Sequence, residues 1–450
     1  MHKHMLQWLL LAAFVLLFLP LSGQAGSSET VATMSLQEPS LRVGILTNQQ
    51  NVQISADANF DLVSFGTGKV LGSFRAYEGV AITVKDGNFA INGVPVSGTG
   101  INVVLKDDVM VYIEQYAHVN NRRYRGEISI HRTPGKSGIT VVNTLPIEQY
   151  LYGIIKNEIS PEWSMEAVKA QAVAARTYAL SNYNKHKADG FDVCATTDCQ
   201  VYGGRESEAP RALEAVDETR GLVLLHDNKL ITAYFHSSSG GYTENSENVW
   251  SSSQPYLRGV ADFDQNCPYF KWEKKLTLAE FNQAVSKAGY NIGSLQAIEL
   301  SPLGTPPVVS SDRGVSGRVK SVRLSGTSGS VQISGAKMRS MLDLKSTLFD
   351  ITTVTDHVEF AKPVFAGKEK KLSQSHNTLA LTIPENPTIR PVNGEPTDFM
   401  VIKGFGWGHG LGLSQWGAKA MAEKAPPGNT EYFKDILKHY YQGAEIKKAY

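Results

Sequence analysis

The run from Ser164 to Leu180, Ser-Met-Glu-Ala-Val-Lys-Ala-Gln-Ala-Val-Ala-Ala-Arg-Thr-Tyr-Ala-Leu, constrains the fold more than any other stretch of this chain. Its alanines favour helix and let neighbouring elements approach closely. Met165, Val168, Ala172, Ala175 and Ala179 recur at helical spacing and form one narrow apolar face. The spacing predicts a helix over 164–180, entered through Ser160-Pro161 and packed by that face. Lys169, Gln171, Arg176 and Tyr178 then form a polar stripe.

The texture on either side of this helix differs. From Leu41 to about Val142 the chain alternates short β-rich runs (Leu41–Leu46, Val80–Val84, Ile101–Leu105, Val109–Ile113) with Asp86-Gly87, Asn92-Gly93 and Pro134-Gly135 turns. Beyond the helix, Leu222–Leu225 and Leu230–Phe235 read as strands across an Asp227-Asn228 turn. Residues 261–395 hold a helix at Leu278–Ala288 and strands at Val319–Leu324 and Val331–Ile333, and Pro384–Pro396 reads as a connection. A glycine-rich segment from Val401 is followed by helices to Tyr441. The pattern predicts an α+β fold: a mixed sheet-and-helix core over 145–450 that carries the chemistry, a β-rich N-terminal region over 41–144, and an inserted α/β section over 261–395. A chain of 450 residues is long enough for this division.

At the start of the chain, His2, Lys3 and His4 precede an apolar run from Met5 to Leu21 that only Gln7 and Pro20 break. Gly23-Gln24-Ala25 follows. This order of basic, apolar and small segments fits a secretory signal cleaved after Ala25. The run also approaches the roughly 20 residues of a spanning helix, so a retained membrane anchor fits as well. Residues 1–25 are therefore an expected signal or anchor, 26–40 a polar linker, and the working place extracytoplasmic. Basic and acidic residues nearly cancel, leaving a formal charge of +1, which gives no electrostatic reason to expect nucleic acid as a partner. Three cysteines cannot all pair within one chain, and so sparse a count is no disulfide scaffold.

Five places could carry chemistry. Glu158 sits between Ile154, Ile155 and Ile159 where the chain turns into the long helix. Apolar neighbours raise a carboxyl pKa, as a general acid requires; an ordinary carboxylate near a helix N-terminus is the plainer reading. The donors Lys169, Gln171, Arg176 and Tyr178 could hold sugar hydroxyls or carboxylates, or simply face solvent. His186, Cys194, Asp198 and Cys199 have the chemistry of zinc ligands, although a Cys194–Cys199 disulfide and free thiols remain open, as does a metal-dependent hydrolase. His236-Ser-Ser-Ser-Gly-Gly241, with Ser238 and Gly240, allows close backbone approach but lacks the nucleophile elbow of a serine hydrolase. Last, Gly406-Trp-Gly-His-Gly410, with Trp407, His409 and the later Gln415, suits a crowded groove with an aromatic wall.

Together, Asn157-Glu158-Ile-Ser-Pro161, the run Glu166 to Tyr178, Cys199-Gln-Val-Tyr202, Ser238-Ser-Gly-Gly241 and Gly406-Trp-Gly-His-Gly410 with Ser414-Gln415 resemble the stage II sporulation protein D family, which includes amidase enhancers. The resemblance covers roughly residues 145–450. It implies a lytic transglycosylase acting on peptidoglycan glycan strands without stem peptides, with Glu158 as the catalytic acid. A non-catalytic enhancer of a cell-wall amidase is the alternative it also implies. Relatives carry zinc near the matching loop, and Asp198 stands where many would have histidine.

Overall fold

A computed structural model describes residues 37–85, 87–106, 115–250, 252–354, 388–392 and 398–450. The expected signal or anchor at 1–25, most of the linker, the strand at Val109–Ile113, the Asp86 turn position and most of Pro384–Pro396 lie outside these residues.

The alanine-rich segment is a helix, Met165–Ser181, and its packing differs from the expected single face. Every residue from Glu166 to Ala179 is buried. Helices Ile147–Tyr152, Pro210–Glu218, Gln415–Ala422 and Phe433–Tyr440 and the strand Leu222–His226 all pack against it. Alanine side chains are small enough for neighbours to close in from several sides, so the helix is the axis of the core. Its polar residues must then be satisfied internally. Arg176 and Glu148, both fully buried, form a two-pronged ion pair at 2.9 and 2.7 Å. Lys169 bonds Glu166 at 3.1 Å, Glu218 at 2.6 Å and the Thr430 carbonyl at 3.0 Å.

Two sheets build the β-rich region. Among the described residues one has seven strands, in the order Val193–Cys194, Ser40–Gln49, Ile139–Pro146, Glu127–Arg132, Gly100–Leu105, Phe60–Ser64 and Val70–Phe74. Its edge strand, Val193–Cys194, comes from beyond the central helix and pairs in parallel with Ser40–Gln49. One hydrophobic cluster accordingly runs from Leu41 through the central helix to Ala444. The β-rich region is thus continuous with the helical core. Asn92-Gly93 closes a hairpin with φ of +48° and +81°, the left-handed pair that such tight turns require. Asp227-Asn228 does the same at +50° and +60°.

The strand expected over Leu230–Phe235 is split. Lys229–Leu230 completes the hairpin, whereas Phe235–His236 pairs in parallel with Leu413–Ser414. A second core spans Leu278 to Ile402. It contains the helix Leu278–Lys287, started by a Thr277/Glu280 capping box, and the helix Gly335–Met341. Within the expected proline-rich connection, Thr388–Pro391 is a strand against Leu295–Leu300. It lies at the sheet edge, where proline's missing N–H costs no ladder bond. The strand Phe399–Phe405 then returns the chain to the glycine-rich segment.

Candidate functional site

Glu158 ends a one-turn helix, Ile155–Glu158. Pro161 disfavours helix at the residue before it, and the chain is already extended at Ile159. Ile154, Ile155 and Ile159 are buried beside the carboxyl, which is half-buried. Burial raises its pKa above the usual carboxylate range; a bond accepted from the Val201 N–H at 3.4 Å opposes this more weakly. Asn157 pins the same loop, its amide donating to the Val201 carbonyl at 3.0 Å and to that of Gly153 at 3.2 Å.

Glu158 faces a cleft of about 760 Å³. In the wall of the same cleft two distant motifs meet. Ser238 and Trp407 exchange backbone hydrogen bonds at 3.1 and 2.8 Å, adding to the pairing of Phe235–His236 with Leu413–Ser414. Gly406 makes this approach possible: its φ is +69°, and a Cβ there would strike the Ser238 carbonyl and the Gly240 nitrogen. Gly406→Ala should cost about 1–3 kcal/mol from the left-handed backbone alone, read as a lowered midpoint in chemical unfolding.

Aromatic rings line the cleft. Trp407, 40 % exposed, packs edge-on to Tyr269 at 4.6 Å, and Trp250, 44 % exposed, lies 4.2 Å from Tyr234 and 5.0 Å from His409. The His409 ring is enclosed by the wall, with an edge reaching the cleft. Burial, then Arg318 and Arg339, push its pKa down to about 3. His236 is driven well below its ordinary value, chiefly by burial, and donates from Nδ1 to the Leu411 carbonyl at 3.1 Å. Both imidazoles are neutral. Neither activates a serine: Ser238 and Ser239 donate to Asp264 and Asp262, each at 2.5 Å, and both hydroxyls are buried. That arrangement takes Ser238 and Ser239 out of consideration as nucleophiles.

Of the expected binding residues, Tyr178, Trp407, His409 and Gln415 line the cleft. Lys169 and Arg176 do not: Arg176 pairs with the buried Glu148, and Lys169 with Glu166 and the exposed Glu218. Gln171 lies behind the wall, accepting a bond from Gln415 at 3.4 Å. Ser238 and Gly240 bond Asp264 inside the wall. Tyr234, Trp250, Tyr269, Asn182, Lys185 and Arg339 also line the cleft. They lie in segments without a motif, and only the tertiary fold brings them together.

Beside the cleft, ligand atoms of His186, Cys194, Asp198 and Cys199 all lie within 4.8 Å of one another. Asp198 Oδ2 is 3.1 Å from His186 Nε2, 3.8 Å from Cys194 Sγ and 3.9 Å from Cys199 Sγ. The sheet fixes Cys194, while Asp198 and Cys199 belong to the loop that continues through Gln200 to Val201 at Glu158. The thiols are not bridged. A hydrogen bond from Cys199 pulls the Cys194 thiol well below the usual thiol range and in turn holds the Cys199 proton on. Two thiols, an imidazole and a carboxylate form a donor set that fits zinc.

The α+β fold thus presents one half-buried acid in an aromatic-lined cleft with a glycine-rich wall, an arrangement able to bind sugar rings and deliver a proton between them. Residues 135–226 match a family model described as stage II sporulation protein, and residues 252–368 match one described as a domain of unknown function. Stage II sporulation protein D of Bacillus subtilis (strain 168) is 30 % identical over 338 residues, 72 % of this chain and 79 % of that protein. An uncharacterized protein of Brachyspira hyodysenteriae is 33 % identical over 347 residues, covering 76 % of this chain and 77 % of the relative. The amidase enhancer of Bacillus subtilis is 35 % identical over 310 residues, 66 % of this chain but 40 % of that protein. The chain belongs to the stage II sporulation protein D family.

Proposed function

We propose that this protein is a lytic transglycosylase that cleaves peptidoglycan glycan strands lacking stem peptides, working outside the cytoplasm in cell-wall remodelling. The observation that carries the reading is Glu158: a carboxyl with a raised pKa, at the edge of a cleft walled by Trp407, Trp250 and Tyr269. Protonated Glu158 gives its proton to the glycosidic oxygen as the bond to muramic acid breaks, leaving an oxocarbenium-like centre. The sugar's own 6-hydroxyl attacks that centre and returns its proton to the Glu158 carboxylate, forming a 1,6-anhydro end. A two-carboxylate hydrolase needs a second acid poised on the same bond. Asp198, the other acid lining the cleft, is engaged by Lys185 and His186, and Glu166 is buried against Lys169. One essential carboxylate suits what remains.

His186, Cys194, Asp198 and Cys199 would hold a zinc ion as its four protein ligands. When bound, the ion supplies a cross-link rather than chemistry at the bond being cut. The loop it ties carries Val201 to Glu158. Elemental analysis should find one zinc per chain, and none in a Cys194→Ser, Cys199→Ser double variant. The variant's thermal midpoint should also fall. Equal zinc in both, or a mass showing a Cys194–Cys199 bridge in zinc-loaded protein, contradicts this assignment.

The amidase enhancer relative supports a second reading, a protein that binds glycan and stimulates an amidase without cutting. Incubation with peptide-free strands, with and without a cell-wall amidase, separates the two. Soluble fragments released by the protein alone support the transglycosylase. Intact strands alone, with faster amidase turnover in the mixture, support the enhancer.

A further inference from the structure

The inserted section brings two cations to the cleft and its wall. Arg339 lies on the helix Gly335–Met341 and lines the same cleft as Glu158 and Trp407. Its Nε donates to the Leu344 carbonyl at 3.2 Å; among the described residues its two terminal nitrogens have no hydrogen-bond partner and no carboxylate pairs with it. Burial alone lowers its pKa, as for a cation enclosed without a counter-charge. A few residues on, the Lys345 ammonium sits 4.5 Å from the Tyr269 ring and 4.7 Å from the Trp407 ring, also without a carboxylate among the described residues. This segment is stitched to the glycine-rich wall. Gly408 N–H donates to the Lys345 carbonyl at 3.0 Å, and Ser346 donates to the Phe405 carbonyl at 2.6 Å. Arg339 thus enters the cleft near imidazoles whose pKa values are pushed down, and Lys345 is held over the Tyr269 and Trp407 rings of its wall.

A guanidinium with its fork free is suited to a carboxylate, and enclosure strengthens that pairing. In a peptidoglycan strand the lactyl group of muramic acid carries a carboxylate only after the stem peptide is gone; an intact stem turns it into an amide. We propose that Arg339 and Lys345 form a subsite for the free lactyl carboxylate, so that the inserted section reads whether a strand has been stripped. This rests on the glycan substrate proposed above, but on none of its catalytic steps.

The test measures binding alone, in full-length chain carrying Glu158→Gln so that nothing is cut. Tryptophan fluorescence is titrated with a peptide-free tetrasaccharide of alternating N-acetylglucosamine and N-acetylmuramic acid. A second titration uses the same tetrasaccharide with its lactyl carboxyls converted to methylamides. The acid should bind at least about ten-fold more tightly than the amide, the usual scale for one hydrogen-bonded charge pair. Adding Arg339→Gln should bring the two within about two-fold, and Lys345→Met should narrow the gap part of the way. Equal affinities before either substitution overturn the proposal without any reliance on a variant's folding. A gap that survives both substitutions, or no binding of either probe, overturns it too. Acid preference in a protein that never cuts strands would sink the transglycosylase and leave the subsite standing; cutting without acid preference would do the reverse.

Discussion

Glu158→Gln should slow cleavage of peptide-free strands by about 10²- to 10⁴-fold, the range expected when a positioned general acid is lost. The amide keeps the shape of the side chain, so the KM for strands should change far less than kcat. Two pH effects accompany this. Burial raises the Glu158 pKa, so the fraction of enzyme holding the proton, and with it the rate, should fall as pH climbs through that raised value. Stability follows the same titration. A group whose pKa is higher in the folded than in the unfolded chain contributes fully below its unfolded pKa, and that contribution is lost as pH rises through the folded value. Wild type should therefore match the Gln variant in acid and melt progressively below it towards neutral and alkaline pH. Thermal midpoints of both proteins across that range check the sign. A variant that melts earlier than wild type at neutral pH would mean that the charged carboxylate is held favourably and is no poised acid.

Much of the site could be read from local chemistry. Glu158 was legible as a candidate because three isoleucines flank it, but local chemistry favoured an ordinary carboxylate, and only the resemblance of its motif singled it out as the acid. Ser160-Pro161 read as the entry to the long helix, and the one-turn helix Ile155–Glu158 before it was not foreseen. The glycine-rich wall was legible because alternating glycines serve close backbone contact. Lys169 and Arg176 show where such reading stops. Their helix carries so many alanines that its apolar pattern gave only a narrow face, and the polar residues read as a solvated stripe. Partners for those residues come from far along the chain: Glu148 and Glu218 for the charges, Gln415 for Gln171. A single helix cannot reveal that it will be enclosed by others. The same holds for the cleft's outer half, since Arg339 and Lys345 occur in ordinary polar sequence and matter only through where the insertion docks. Thr388–Pro391 looked like a connection because proline and asparagine dominate there, and an edge position tolerates them.

Arg176→Met should be among the most damaging changes in the core, costing about 3–5 kcal/mol, because it leaves a buried carboxylate without its cation. Arg176 and Glu148 are both fully buried, and Arg176 also donates to the carbonyls of Leu222 and Val216 at 3.1 Å. Glu148 in turn accepts from the Gly221 N–H at 2.9 Å and the Tyr450 hydroxyl at 2.6 Å. The pair thus ties the central helix to the chain's last strand through Tyr450, which follows it. Guanidinium unfolding midpoints measure the loss. The double variant Arg176→Met, Glu148→Leu should recover much of it, since apolar replacement removes the stranded charge. A small effect of the single change would place Arg176 at the surface and return it to the candidates for substrate binding.

The mass of the cleavage product reports how the glycosidic bond breaks. Peptide-free strands are digested by the full-length protein, and the new saccharide ends are examined by mass spectrometry beside a Glu158→Gln control. The expected product ends in 1,6-anhydro-N-acetylmuramic acid, one water lighter than a hydrolysed end, and the control yields essentially none. Ordinary reducing ends, equal products from the Glu158→Gln protein, or strands left intact by pure wild-type protein would contradict a lytic transglycosylase acting through Glu158.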